Sequence, residues 1–251
     1  MIPLLFKYKI LWLSFSKASA IPTSWSELSK AQLMAISTEY ATTKEEIDFY
    51  CGLLNIPKHI AKNLDEYYKY QIIRELVFLT EFTPLDYFII PSLKTLSAPK
   101  ARLEGMSFGQ FMFVDSYFES YVTKNNDESL DKFVASLYLP PAHVFNTIYI
   151  SAWTLFVHTH FTAKEKMAIA MNYRLVKEWL GEHYPIVFLK KEDNPSFSPE
   201  RISSIKNNNS WIAIFESIVG DDIVNQDRYA QLPLHIVLKY LTTKIKENVR
   251  R

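Results

Sequence analysis

His158-Thr159-His160 is the only pair of closely spaced histidines in the sequence. Residues two apart share a face only in a strand, where two imidazoles could hold one metal ion. A third ligand at a matching spacing is missing, and the plain alternative is a pair of partly buried, hydrogen-bonded histidines. Asp115 interrupts a phenylalanine-rich helical face, where an unpaired carboxylate would be costly. It is expected to pair with Arg102, Arg174 or Arg201, or to cap neighbouring backbone. The single cysteine, Cys51, lies in the apolar run FYCGLL and reads as a buried structural thiol. G-x-G-x-x-G, G-x-x-x-x-G-K-[ST], H-E-x-x-H and C-x-x-C are all absent, and G-x-S-x-G occurs once, at Gly105–Gly109, where Ser107 has capping-box spacing with Gln110. The sequence therefore nominates no catalytic, cofactor-binding or metal-binding residue.

The elements that would position these groups centre on residues 102–140. Ser107 and Gln110 have capping-box spacing, and a helix follows with Phe108, Phe111, Phe118 and Val122 on one side and Val114, Tyr117 and Tyr121 on another. After the polar KNNDE loop, a second amphipathic helix turns Leu130, Phe133, Val134 and Leu137 inward and stops before Pro140 and Pro141. Upstream, Ser24 with Glu27 and Ser29 with Gln32 announce a helix carrying Leu33, Ile36 and Tyr40. Thr42 with Glu45, or Thr43 with Glu46, announces the next, with Ile47, Tyr50, Cys51 and Leu54 inward. Asn63 is expected to cap a helix with the stripe Tyr68, Ile72, Leu76 and Leu79, and Pro91 and Pro99 bracket an irregular loop.

The segment VFNTIYISAWTLFVHTHF has no decisive period, so helix and strand both stay open there. Thr162 with Glu165 opens a long helix lined by Ile169, Tyr173, Val176 and Leu180, with Ala168, Leu175 and Trp179 on another face. Gly181 or the His183–Pro185 sequence would end it. Ser210 caps a helix with Trp211, Ile214, Phe215 and Ile218 inward, and a last helix from Leu232 turns in Leu234, Val237, Leu238, Leu241 and Ile245. The N-terminus imitates a signal peptide (Lys7, Lys9, ILWLSF, then Ala18-Ser19-Ala20), yet its apolar run is short and Lys17 interrupts it. A β-hairpin turning at Ser16-Lys17-Ala18 and returning to Ile21 is preferred.

The fold expected is a mainly α, multi-helix domain: residues 1–22 form a small hairpin packed on it, and 23–251 the helical body, with a polar loop near 190–209. A hydrophobic fraction of 48% and an aromatic fraction of 15% support a real core, and a formal net charge of +1 gives no field to recruit nucleic acid. The basic ending KYLTTKIKENVRR leaves a nucleic-acid role as an alternative, though its bases read as the solvated side of a core helix. No apolar run reaches the roughly 18 residues that span a bilayer.

Three stretches together resemble proteins of phage and prophage tail or structural modules of Bacteroidetes-type bacteria: IPTSWSELSKAQLMAI, MSFGQFMFVDSYFESYV with LDKFVASLYLP, and WIAIFESIVGDDIVNQDRYAQLPLHIVLKYLTTKIKE. The last is also similar to tail assembly chaperones, which bind the tape-measure protein. The resemblance implies a non-enzymatic protein, without cofactor, acting by protein–protein contact in particle assembly. Its expected partner is a tape-measure or other tail or head protein, or a second copy of itself, in the host cytoplasm or in the virion. An assembly chaperone and a permanent virion subunit both fit it.

Overall fold

A computed structural model describes residues 1–10, 13–41, 46–188 and 211–249. The caps expected at Thr42, Thr43 and Ser210, the side chain of Tyr40, the polar loop near 190–209, Arg201 and the two terminal arginines lie outside the described residues. The chain is mainly α with a small N-terminal hairpin, and divides into two compact units. One comprises Met1–Leu85 with Phe161–Glu178, the other Asp86–His160 with Trp179–Arg251. Residues 23–251, expected as one helical body, are thus shared between both units.

In the first unit, β1 (Ile2–Ile10) pairs antiparallel with β2 (Leu13–Ile21) from Ile2–Ile21 to Ile10–Leu13. The reversal therefore does not fall at Ser16–Ala18. Those residues pair with Lys7, Phe6 and Leu5. Alternation fixes this register, because Leu4 and Phe6 are buried while Leu5 between them is exposed. The hairpin packs on its own unit's helices: Phe6 meets Tyr68 edge-on, and Ser19 Oγ donates to the Leu54 carbonyl.

A short 3-10 turn at Trp25–Glu27 replaces the helix start expected at Ser24. Glu27 instead accepts from the Thr23 amide and hydroxyl and from the terminal ammonium of Met1. These partners, the ammonium first, hold its carboxyl down at about 2. Trp25 is fully buried between Phe78 and Phe82, with its indole N–H on the Glu81 carbonyl.

The capping box that works is the next one. Ser29 Oγ accepts from the Gln32 amide while Gln32 Oε1 accepts from the Ser29 amide, opening α1 (Lys30–Ala41). Leu33 and Ile36 of α1 are buried against α2 (Glu46–Leu54), whose own buried residues are Phe49, Tyr50, Leu53 and Leu54. At their closest approach Gly52 faces Ala35: a Cβ on Gly52 would lie 2.5 Å from that of Ala35.

After the single turn α3 (Lys58–Ala61) comes α4 (Glu66–Glu75), which tightens into a 3-10 turn over Leu76–Thr80. Its cap is Asp65, which accepts from the Tyr67 amide. Asn63 donates its side-chain N–H to the His59 carbonyl instead. Ile72 and Leu76 are buried, with Tyr68 and Leu79 partly so, and the stripe read from the sequence faces its unit's core.

The second unit opens with a two-residue ladder, β3 (Ser92–Leu93) against β4 (Leu96–Ser97), inside the expected irregular loop. Around it stand α5 (Phe108–Lys124), α6 (Asp127–Leu137), α7 (Ile150–His160), α9 (Trp211–Val219), α10 (Gln226–Ala230) and α11 (Leu234–Val249). The helix between, α8 (Ala163–His183), divides its residues between the units at Glu178–Trp179. Thr162 and Glu165 close a reciprocal capping box at its start, and it runs through Gly181 to His183.

Ser107 Oγ accepts from the Gln110 amide, but the Gln110 side chain reaches across to the Ser136 carbonyl, tying α5 to α6. Phe108, Phe111 and Phe118 are buried as read; Val122 is exposed, so the inward stripe ends one turn early. Asn125 adopts the left-handed conformation that ends α5, and Asn126 caps α6 by accepting from the Ser129 amide. Two adjacent asparagines thus make the corner. On α11, Leu234, Val237 and Leu238 are buried and Leu241 and Ile245 half-buried.

Candidate functional site

The segment left open between helix and strand is α7, preceded by a 3-10 turn at Thr147–Tyr149 that Asn146 caps. Helical geometry removes the metal reading at His158 and His160. Two residues apart on a helix is about 200°, so the imidazoles point to different sides. His160 stacks on Phe156 at 4.4 Å, with Nδ1 in reach of the Phe156 carbonyl. His158 turns to α6, where its Nδ1 lies 2.8 Å from Asp131 Oδ2. Both histidines are exposed rather than partly buried. Among the described residues no group of three potential metal ligands comes together.

Asp131 is the residue that the sequence reading missed. It is 2% exposed, on the inward side of α6 beside Leu130 and Val134, while the His158 side chain is 67% exposed. A buried carboxylate at hydrogen-bond distance from Nδ1 orients the imidazole, whose ring is largely in solvent. This is the orienter-and-base half of a catalytic triad, but it sits on an outer helix face and not in a cleft. Two concavities among the described residues lie elsewhere. One, of about 390 Å³, is framed by Lys17, Ser19, Gln32, Gly52 and Asn55, and the other, of about 220 Å³, by Asp222, Arg228 and Tyr229. Neither includes Asp115, Asp131 or His158.

Asp115 is buried, and the Trp211 indole N–H donates to its Oδ2 at 2.7 Å. Among the arginines expected as partners, Arg201 lies outside the described residues. Arg102 is engaged with Asp86, and Arg174 with Glu178 and the face of Phe82. The carboxylate thereby anchors α9 to α5, alongside the contacts of Trp211 with Phe108 and Phe111. Asp115→Ala is expected to lower the unfolding free energy by about 1–3 kcal/mol, because the indole N–H loses its partner. An unchanged denaturation midpoint would show that the bond carries nothing. Cys51 is half-buried rather than buried, and burial, helped by Asp48, pushes its thiol up, away from the reactive thiolate. Tyr138, fully buried with its hydroxyl on the Ile90 carbonyl, is likewise pushed up by burial.

What surrounds His158 is more distinctive than the pair itself. From Phe133 to Ala163 the sequence contains no Asp, Glu, Lys or Arg, although charged residues make up 22% of the chain. Much of that span lies on the surface. Val144 and Ile148 are 73% and 79% exposed, and Tyr149 and Leu155 are exposed as well. Ala152, Leu155 and Thr159 follow one another at helical spacing along the outer side of α7, and Ile148 stands exposed in the turn before it. The gap between Lys132 and Lys164 was visible in the sequence. Its significance was not, because an uncharged run reads equally as core. The basic residues Lys239, Lys244 and Lys246 stand exposed on α11, with Lys244 paired to Glu247.

Among the described residues no helix is long and apolar enough to cross a membrane. Comparison with family models, with curated proteins and with solved structures gives no match.

Proposed function

We propose that this chain is a non-enzymatic phage protein that works by protein–protein contact during particle assembly, in the manner of a tail assembly chaperone. The observation that carries the reading is the uncharged outer face of Val144, Ile148, Tyr149 and Leu155. A contiguous exposed apolar surface without charge is a place where another protein docks. Leu155 on α7, with Ile148 and Tyr149 in the turn that leads into it, fits capture of an apolar helical segment. The occupant proposed is such a segment of a tape-measure or other tail or head protein, held covered until assembly. The choice of phage partner draws on the likeness of IPTSWSEL, MSFGQFMFVDSYFESYV and the closing helices to tail-module proteins.

The test is quantitative mass spectrometry of the protein in purified particles and in the whole lysate of producing cells, with capture of partners by the full chain. Abundance in the lysate, depletion from particles and recovery of one tail or head protein are expected. The double substitution Ile148→Asp with Leu155→Asp should reduce that recovery at least tenfold while leaving the melting temperature unchanged, since both side chains are exposed. Stoichiometric presence in particles would make the chain a virion subunit and overturn the chaperone reading. Undiminished capture by the double variant would remove the α7 face from the mechanism.

A further inference from the structure

The hairpin of the first unit has a strand edge that opens into a cleft. β1 covers one side of β2. The cleft of about 390 Å³ takes in four consecutive β2 residues, Lys17 to Ala20, but only Met1 from the β1 side, so it borders the other edge of β2. Its remaining walls are the start of α1 and the end of α2, and all of them lie within the one unit.

The register says which backbone groups border that cleft. Ile10 pairs with Leu13, and two residues so close in sequence can bridge only by exchanging both of their own hydrogen bonds. Alternation from there makes Phe6–Lys17 and Leu4–Ser19 bonded pairs and turns the N–H and C=O of Ala18 and Ala20 away from β1. Pro3 agrees with this parity: it stands opposite Ala20, in a pair that needs no N–H from it, and it blunts the outer edge of β1. Among the described residues no hydrogen bond reaches the backbone of Ala18 or Ala20 from outside the hairpin. The carbonyls at the end of α2 are, by contrast, taken. Cys51 accepts from the Ile56 amide, Leu53 from the Gln32 side chain and Leu54 from Ser19 Oγ.

An open edge is matched by another extended chain, whose amides and carbonyls recur at the same rise of about 3.3 Å per residue. Lys17 sets the charge of that chain. It is the one charged side chain lining the cleft and pairs with no carboxylate among the described residues, while the Met1 ammonium at the rim is engaged by Glu27. The wall therefore attracts an acid and disfavours a basic chain. Ala31 and Gly52 on the opposite side leave room for main chain and small side chains. We propose that the outer edge of β2 is a peptide-binding edge, on which an extended acidic segment of another protein adds as a third strand, its carboxylate at Lys17 and its small residues towards Ala31 and Gly52. The inference stands apart from the role proposed for the α7 face, which belongs to the other unit, and its failure would leave that role untouched.

The probe is a displayed library of random octapeptides selected on the full chain, with enriched sequences resynthesised with blocked ends and titrated by fluorescence anisotropy. Enriched peptides are expected to carry Asp or Glu among small and β-branched residues. Ala18→Pro removes an N–H that points away from β1, so the hairpin and the melting temperature should be kept while affinity falls about tenfold or more. Lys17→Glu, at an exposed position, should weaken the acidic peptides about tenfold and favour their lysine counterparts. In amide exchange followed by NMR, Ala18 and Ala20 should exchange fast in the free chain and slow about tenfold or more in the complex, with Lys17 and Ser19 protected in both. Ala18 and Ala20 amides already protected in the free chain overturn the proposal, because the edge is then covered. A selection that enriches nothing overturns it as well, as does Ala18→Pro binding like the wild type or a charge preference that Lys17→Glu does not move. An unfolded Ala18→Pro would show that its N–H serves the ladder, and would sink the edge assignment itself.

Discussion

Phe111→Ala is expected to lower the unfolding free energy by about 3–5 kcal/mol, measured by chemical denaturation of the full chain. Phe111 is fully buried and its ring is met edge-on by Trp211 at 4.9 Å and by Phe188 at 6.3 Å. Removing the ring loses its transfer from water and leaves a void bounded by aromatic planes. Those planes cannot readily close it. The indole is tethered through its N–H to Asp115, and α5 is clamped at its start, where the Phe108 amide bonds the Leu232 carbonyl and the Leu234 amide bonds that of Met106. A loss below about 1 kcal/mol would mean that the site collapses freely or that the ring lies nearer solvent.

Gly52→Val should cost about 3 kcal/mol, the upper part of the range for overpacking. The added Cβ would start 2.5 Å from that of Ala35, an atom that cannot swing aside because it is fixed to the backbone of α1. Helix propensity argues the other way, since replacing glycine inside a helix gains up to about 1 kcal/mol. The contrast with Gly181, also helical, separates the two effects: nothing lies within 4 Å of a Cβ there. Gly181→Ala should be neutral or stabilising by about 0.5–1 kcal/mol. Equal behaviour of Gly52→Ala and Gly181→Ala would show that α1 and α2 can move apart at little cost.

Signals local to a few residues were legible in the sequence. Ser29 with Gln32 and Thr162 with Glu165 make reciprocal caps, and the inward stripes of α5, α6 and α8 need only a period. Signals that depend on a distant partner were misplaced. Ser24 and Glu27 have the right spacing, but Glu27 is drawn off by Thr23 and the terminal ammonium. Ser16–Ala18 has turn composition, yet burial of Leu4, Phe6 and Ile21 selects a register that puts those residues inside β2. Asp131 and Asp115 engage His158 and Trp211, which lie 27 and 96 residues away.

The undecided period of 145–161 has a physical cause. An amphipathic helix declares itself by polar residues on its outer side, and α7 has Ala152 and Leu155 there, with Ile148 in the turn before it, so the pattern is blurred by the same residues that make the surface unusual. On α4 the core stripe was read and the outer one was not, because exposure of Tyr67, Tyr70, Ile73 and Val77 is a property of what is absent around them.

The uncharged outer face of α7 has a kinetic consequence. A surface without formal charge exerts little pull on an approaching chain, so encounter with a partner should proceed at an unsteered rate, about 10⁵–10⁶ M⁻¹ s⁻¹, and change little with added salt. A partner held there would owe its occupancy to slow departure, and departure is governed by how completely Ile148 and Leu155 are covered. Competing chains would then be sorted by residence time and not by speed of arrival.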